Sequence, residues 1–103
     1  MDYYYMFNAL SDSIRLDILV ELNKGEKTAG EIAEKFNLTN SKASYHFTVL
    51  SKVGFISKRR YKNFIFYTIK KENMKLISEW VNCFLWKTYK GEPINLVRVL
   101  LGR

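Results

Sequence analysis

The stretch from Leu38 to Gly54 constrains the fold more than any other, because it reads as one amphipathic helix with both ends marked. Thr39 or Asn40 can cap its N-terminus, and Gly54 supplies the left-handed residue that closes a helix just past its last apolar turn. Between these ends Ala43, Phe47 and Leu50 recur at i, i+4 and i+7 and predict an inward stripe, while Ser41, Lys42, Tyr45 and Thr48 fall on the outer side. The outer set contains hydroxyls and a cation but no acid. Such a surface suits DNA, since hydroxyls donate to or accept from base edges and Lys neutralises a phosphate. An ordinary surface helix also has a polar outer face, so this stretch alone leaves both readings open.

Its neighbours narrow the choice. Upstream, Thr28-Ala29-Gly30-Glu31 has the spacing of a capping box, in which Thr28 and Glu31 satisfy each other's backbone donors. Ile32, Ala33 and Phe36 give that helix its inner face, and a polar turn around Asn37 follows. Residues 28–54 therefore predict a helix-turn-helix, the unit that lays its second helix in a major groove. After Gly54 the period changes to two. Phe55-Ile56-Ser57-Lys58-Arg59-Arg60 and Phe64-Ile65-Phe66-Tyr67-Thr68-Ile69 are rich in strand formers and predict a two-stranded hairpin, a wing over 55–69, with Tyr61-Lys62-Asn63 at its tip. Asn63 is suited to a positive φ there. Lys58, Arg59, Arg60 and Lys62 would set the hairpin's charge against a phosphate backbone, although basic residues also protect a bare sheet edge from pairing.

The flanking segments predict helices as well. Asp2 to Ala9 is aromatic, with Tyr3, Tyr4 and Phe7 on one side of a short helix. Ser11-Asp12 caps a second helix from Ser13 to about Leu22, where Ile14, Ile18, Leu19 and Leu22 repeat at helical spacing before Gly25 ends it. A long helix over 71–90 carries Met74, Ile77, Trp80, Val81, Phe84, Leu85 and Thr88 close to heptad spacing. With a core already available from the other elements, this second stripe suggests packing against a partner subunit, together with Tyr4 and Phe7. Burial against the aromatic first helix is the intramolecular alternative. Gly91-Glu92-Pro93 breaks the long helix, and the apolar tail Ile94 to Leu101 reads as a further short helix or an added strand.

Composition bounds the function. A chain of 103 residues suits one domain, here 1–103, and its apolar runs are interrupted by charge well short of the roughly 20 residues of a membrane span. The start Met1-Asp2-Tyr3-Tyr4-Tyr5 lacks a basic signal-peptide region, so a cytoplasmic location is expected. Cys83 is the single cysteine, which excludes an intrachain disulfide or a cysteine-pair metal site and suits a small residue on a buried helix face. The net charge of +7 is concentrated: Lys35 to Lys71 holds nine Lys or Arg and no acid, whereas residues 1–34 hold seven acids against three bases. An acid-free segment around a candidate recognition helix favours a polyanion partner. There is no nucleophile motif, no glycine-rich phosphate loop and no carboxylate pair near His46, so enzyme activity is not expected.

The order of elements resembles the ArsR/SmtB-type bacterial winged-helix repressors over roughly residues 7–90. Ala9 to Leu19 is similar to the family's opening A-L-x-D-P-x-R-x-x-I-L, and Thr39 to Ile56 matches S-x-S-x-x-S-x-H-L-x-x-L-x-x-x-G-L-V without a gap. Arg60 to Tyr67 resembles its R-x-G-x-x-x-Y-Y wing, with Lys62 at the glycine and Phe66 at the first tyrosine. The resemblance implies an α+β, mostly helical winged helix-turn-helix with a long C-terminal dimerisation helix, acting as a homodimer on an inverted-repeat operator in double-stranded DNA. Carried over by position, Thr39, Asn40, Ser41, Lys42, Ser44 and Tyr45 would meet DNA, and Arg59, Arg60 and Lys62 would hold its backbone. The dimer interface would contain Tyr4, Phe7, Ile77, Trp80, Val81 and Phe84.

Several positions depart from the family. Ser13 replaces the proline of the opening motif, and Tyr45 stands where Arg or His is frequent. Segment 28–33 has no thiol, and the long helix offers Glu72 and Glu79 but no His, too few imidazole ligands for a zinc-type site, so neither a metal switch nor a cofactor is expected. His46 matches the family histidine but, beside Phe47, is expected to pack and hydrogen-bond. The long helix is more similar to that of the metal-free SdpR-like autorepressors, some of them controlled by a membrane partner, which implies a regulatory protein partner. A different class of function stays open: a winged-helix interaction module that binds a protein through its aromatic terminal helices.

Overall fold

The computed structural model describes residues 2–88, with side chains described through Phe84. The elements are α1 (Tyr3–Ala9), α2 (Ser13–Leu22), β1 (Lys27–Thr28), α3 (Ala29–Lys35), α4 (Asn40–Lys52), β2 (Ile56–Tyr61), β3 (Phe64–Ile69) and α5 (Lys71–Thr88). Compact units divide between Asn73 and Met74. The first unit carries the winged helix-turn-helix, and its helix starts are fixed by side-chain caps. Asp2 Oδ1 accepts from Tyr4 N at 2.9 Å, and Asp12 Oδ1 accepts from Ile14 N at 2.8 Å and Arg15 N at 3.2 Å. Thr28 Oγ1 accepts from Glu31 N and Thr39 Oγ1 from Lys42 N, each at 3.1 Å. Thr39, rather than Asn40, is thus the cap of α4.

The helix ends obey the same logic. Past α3, Asn37 adopts φ 53°, and Leu38 N donates to Ala33 O while Asn37 N donates to Glu34 O. Past α4, Gly54 adopts φ 77°, with Phe55 N donating to Leu50 O and Gly54 N to Ser51 O. Both are Schellman closures, in which one left-handed residue lets the chain satisfy its last carbonyls and turn sharply. Gly54 is doubly required, because a Cβ there would collide with Asn73 Nδ2, which donates to Val53 O at 2.8 Å.

The core of the first unit comprises Met6, Ala9, Ile18, Leu19, Leu22, Ile32, Ala33, Ala43, Phe47, Leu50, Val53, Phe55, Ile56 and Tyr67. The expected stripe of α4 is all inside. In α1, by contrast, Met6 and Ala9 are the buried residues, while Tyr4 and Tyr5 are exposed and Phe7 is half-buried. Five consecutive aromatic or apolar side chains, Tyr3 to Phe7, surround a helix seven residues long, and only one face of it meets the core.

The sheet contains one strand more than the hairpin. Lys27–Thr28 pairs with β3, giving the order β1-β3-β2, all antiparallel. Two residues are too few to show a period, which is why the strand is silent in the sequence pattern. At the hairpin tip the positive φ falls on Lys62, at 54°, and not on Asn63. With Tyr61 opposite Phe64 the loop is Lys62-Asn63, a two-residue turn whose first position is left-handed.

Of the second unit, α5 continues through Thr88, so the expected residues 89 and 90 of the long helix, the break at Gly91-Glu92-Pro93 and the tail from Ile94 lie outside the described residues. Within α5, Ile77 and Val81 are half-buried, Trp80 and Phe84 are exposed, and the Trp80 and Phe84 ring centroids lie 4.6 Å apart.

Candidate nucleic-acid interface

The presentation of α4 follows from what lies behind it. Phe47 stacks on Tyr67 of β3 with ring centroids 4.1 Å apart and planes at 18°, fixing the helix against the sheet. His46, only 6 % exposed, ties it to the first two helices: Arg15 Nη1 lies 3.3 Å from His46 Nδ1. A guanidinium has no acceptor, so Nδ1 must accept and the ring proton sits on Nε2. Arg15 is itself buried, and its remaining donors reach Ala9 O at 2.7 Å and Asn8 O at 3.3 Å, which compensates a cation removed from water. His46 is therefore a packing and hydrogen-bonding residue, as expected, and Arg15 is the anchor that the sequence pattern did not single out.

Asp12 completes this cluster. Burial pushes its carboxyl up, but the backbone hydrogen bonds from Arg15 and Ile14 and the charge of Arg15 outweigh that and hold it below the ordinary value. Glu21, largely covered, sits 3.2 Å from Lys24 Nζ and 3.3 Å from Lys35 Nζ, and so links α2 to α3. Burial raises its pKa, yet the hydrogen bonds from the two lysines bring it below normal.

With its inner face fixed, α4 exposes Asn40, Ser41, Lys42, Ser44, Tyr45 and Thr48 together. Tyr45 is 61 % exposed, its ring edge-on to His46 at 5.4 Å. Thr39 is exposed as well, but its hydroxyl oxygen is engaged as the cap, which leaves the O–H to donate outward.

The wing carries its cations on two different faces. The register pairs Ile56 with Ile69, Lys58 with Tyr67 and Arg60 with Ile65, and since Ile56 and Tyr67 are buried, Lys58 and Arg60 belong to the face that packs on α4. Ser57, Arg59 and Tyr61 belong to the other. Lys58, Arg59, Arg60 and Ile65 border a recess of about 400 Å³ along the hairpin. Lys62 stands at the tip, its Nζ 5.4 Å from the Tyr61 ring centre.

Arg59 has a partner that sequence reasoning missed. Its Nε donates to Glu26 Oε2 at 2.9 Å and its Nη2 to Glu26 Oε1 at 2.6 Å, with the guanidinium 4.5 Å from the Phe66 ring centre. Those hydrogen bonds hold the Glu26 carboxyl below its ordinary value and raise Arg59 further. Glu26 lies just ahead of β1, the strand too short to be read from periodicity.

The residues expected at a dimer interface fall in both units. In the first, Tyr4 is 66 % exposed and Phe7 half-buried; in the second, Trp80 is 39 % and Phe84 57 % exposed. Cys83 is exposed, not on a buried face. Among the described residues, no group of three or more His, Cys, Asp or Glu side chains is placed to hold a metal ion, and no helix is long and apolar enough to cross a membrane.

Comparison with known proteins agrees with this geometry. The family model described as bacterial regulatory protein, arsR family, matches residues 12–58. The transcriptional repressor SdpR of Bacillus subtilis is 36 % identical over 84 % of this chain and 93 % of its own length. The arsenical resistance operon repressor of the same organism is 33 % identical over 87 % and 88 %. In structure, the homodimeric winged helix-turn-helix DNA-binding domain of Mb0332 from Mycobacterium bovis superposes with a TM-score of 0.66 at 24 % identity, over 82 % of this chain and 79 % of that one, and shares the fold.

Proposed function

The chain belongs to the arsR family of bacterial regulatory proteins, and from that premise we propose that it represses transcription as a homodimer reading an inverted-repeat operator, without a metal switch. The observation that carries this reading is the exposed, acid-free face of α4, held by Phe47 and the Arg15–His46 contact and flanked by a basic wing. Ser41, Lys42, Ser44 and Tyr45, with Asn40 and the Thr39 hydroxyl, meet bases and phosphates in the major groove; the wing cations, Arg60 and Lys62 among them, hold the flanking backbone. Hydroxyl, amide and phenol groups give hydrogen-bond recognition, and the lysines and arginines give affinity that falls with salt.

The exposed rings of Trp80 and Phe84, with Ile77 and Val81 beside them on α5, supply the subunit contact, joined by Tyr4 and Phe7. Two copies related by a two-fold axis require half-sites about one helical turn, roughly 10 base pairs, apart. The absence of a metal switch rests on donor types: the chain has one His and one Cys, and the His is engaged by Arg15. Relatives are transcriptional repressors, and the protein acts in the cytoplasm on its own promoter, the autorepression implied by the resemblance to the SdpR-like autorepressors.

Hydroxyl-radical footprinting on DNA upstream of the protein's own gene tests this. Two protected half-sites spaced by one turn and related by symmetry are expected; a single asymmetric footprint, or none on any genomic fragment, would overturn the dimeric operator reading. Tyr4 and Tyr5, both at least 60 % exposed on α1, favour a second reading in which the terminal helices also bind a regulatory protein, including one at the membrane.

A further inference from the structure

We infer that Arg59 is not a phosphate contact but a positioning residue, one that clamps the wing by reaching across its central strand to Glu26, and that phosphate contact on the strand falls instead to Lys58 and Arg60. This rests on the DNA-binding reading above and divides its wing cations by role.

The geometry follows from the register. Arg59 and Thr28 are both opposite Phe66, so all three side chains stand on one face of the sheet. Glu26, two residues before Thr28, shares that face by alternation. The Arg59 side chain therefore starts on the edge strand β2, passes over the Phe66 ring of the central strand, and ends in a two-point hydrogen bond with the carboxylate ahead of the opposite edge strand. One side chain spans all three strands. A guanidinium laid on a ring, with its Nε–H and one Nη2–H held by a carboxylate, has committed its Nε/Nη2 fork and paired its charge before any phosphate arrives. Although Arg59 borders the recess along the hairpin, its guanidinium ends at Glu26.

Lys58 and Arg60 differ. They stand on the face that packs on α4, beyond its buried part, and so beside the recognition helix. β1 has only two residues and two pairs with β3, so backbone pairing alone gives the base of the wing little hold; the clamp supplies a second tie between the edges. The pitch of the hairpin sets where Lys58 and Arg60 sit, and through it Glu26 influences DNA binding without touching DNA.

Two measurements separate a clamp from a phosphate contact. The first is the slope of log K against log salt for operator duplex, which changes by about 0.9 for each phosphate contact removed. Lys58→Gln and Arg60→Gln are each expected to flatten it by about 0.9, while Arg59→Gln weakens binding roughly 3- to 10-fold with the slope unchanged. The second is the sign of Glu26→Gln. Removing an acid near DNA strengthens binding if only charge matters, and more so if it releases Arg59 to a phosphate; loss of the clamp weakens it. A slope flattened by about 0.9 in Arg59→Gln, or tighter binding by Glu26→Gln, would overturn the assignment.

The clamp is also read without DNA. A slowly exchanging Arg59 Nε–H resonance, present in the native protein and lost in Glu26→Gln, is expected; a rapidly exchanging one in the native protein contradicts the clamp. Wild-type protein that binds no duplex would overturn the DNA reading and the roles of Lys58 and Arg60, while this resonance would still decide the clamp.

Discussion

Helices α4 and α5 both combine an apolar stripe with a polar remainder, and they place that stripe differently. In α4, Ala43, Phe47 and Leu50 are buried in the first unit, and the polar residues are what the helix shows to solvent. In α5 the rings of Trp80 and Phe84 are themselves exposed. The difference teaches how one short chain divides its work. A helix whose apolar side is settled against its own sheet can offer hydrogen-bonding groups in a fixed array, as base reading requires; a helix with exposed rings suits a second copy.

Substitutions at matched positions can break this comparison. Phe47→Ala removes a fully covered ring stacked on Tyr67 and is expected to lower unfolding free energy by about 3–5 kcal/mol in denaturant titration, whereas Phe84→Ala in dilute monomer costs less than about 1 kcal/mol. Similar costs at the two positions would erase the distinction. Next in size, Trp80→Ala should weaken dimerisation by about 2 kcal/mol, roughly 30-fold, in sedimentation equilibrium. A variant that stays dimeric down to the same concentrations as the native protein would remove Trp80 from the interface.

A smaller change probes the fixed end of α4. Thr39→Ala removes the acceptor for Lys42 N and should cost about 1 kcal/mol in thermal unfolding, while leaving dimerisation unaffected. The smallest effect is expected from acid. The Asp12 carboxyl titrates lower in the folded chain than in the unfolded one, so its contribution to stability is complete above the unfolded value near 4 and is lost as pH falls through the lower folded value. Asp12→Asn, which can still cap, should therefore show a shallower loss of melting temperature below pH 4 than the native protein. Parallel curves would mean that the carboxylate's charge does not support the Arg15–His46 contact behind α4.

Most of the fold was legible because local signals agreed. Thr28, Thr39, Asn37 and Gly54 mark the ends of α3 and α4 through backbone chemistry that acts within a few residues, and the period-two run after Gly54 gives the hairpin. Non-local features left less trace. β1 is too short for a period, the Arg15–His46 contact joins residues 31 apart, and Glu26 meets Arg59 across 33 residues. Hence Arg59, one of four cations indistinguishable in sequence, differs from the others only once the sheet register is known. The positive φ at Lys62 instead of Asn63 has a similar origin: the hairpin's pairing sets which residue occupies the first turn position.

The most direct test of sequence-specific repression is a fluorescence-anisotropy titration that compares duplex from upstream of the protein's own gene with a scrambled duplex across a salt series. The proposed contacts from Ser44 and Tyr45 to base edges predict tighter binding to the upstream duplex that persists at salt concentrations where scrambled binding is gone. Equal affinity for the two duplexes, abolished by the same salt, would contradict it and leave α4 as a polar face that attracts DNA by charge alone.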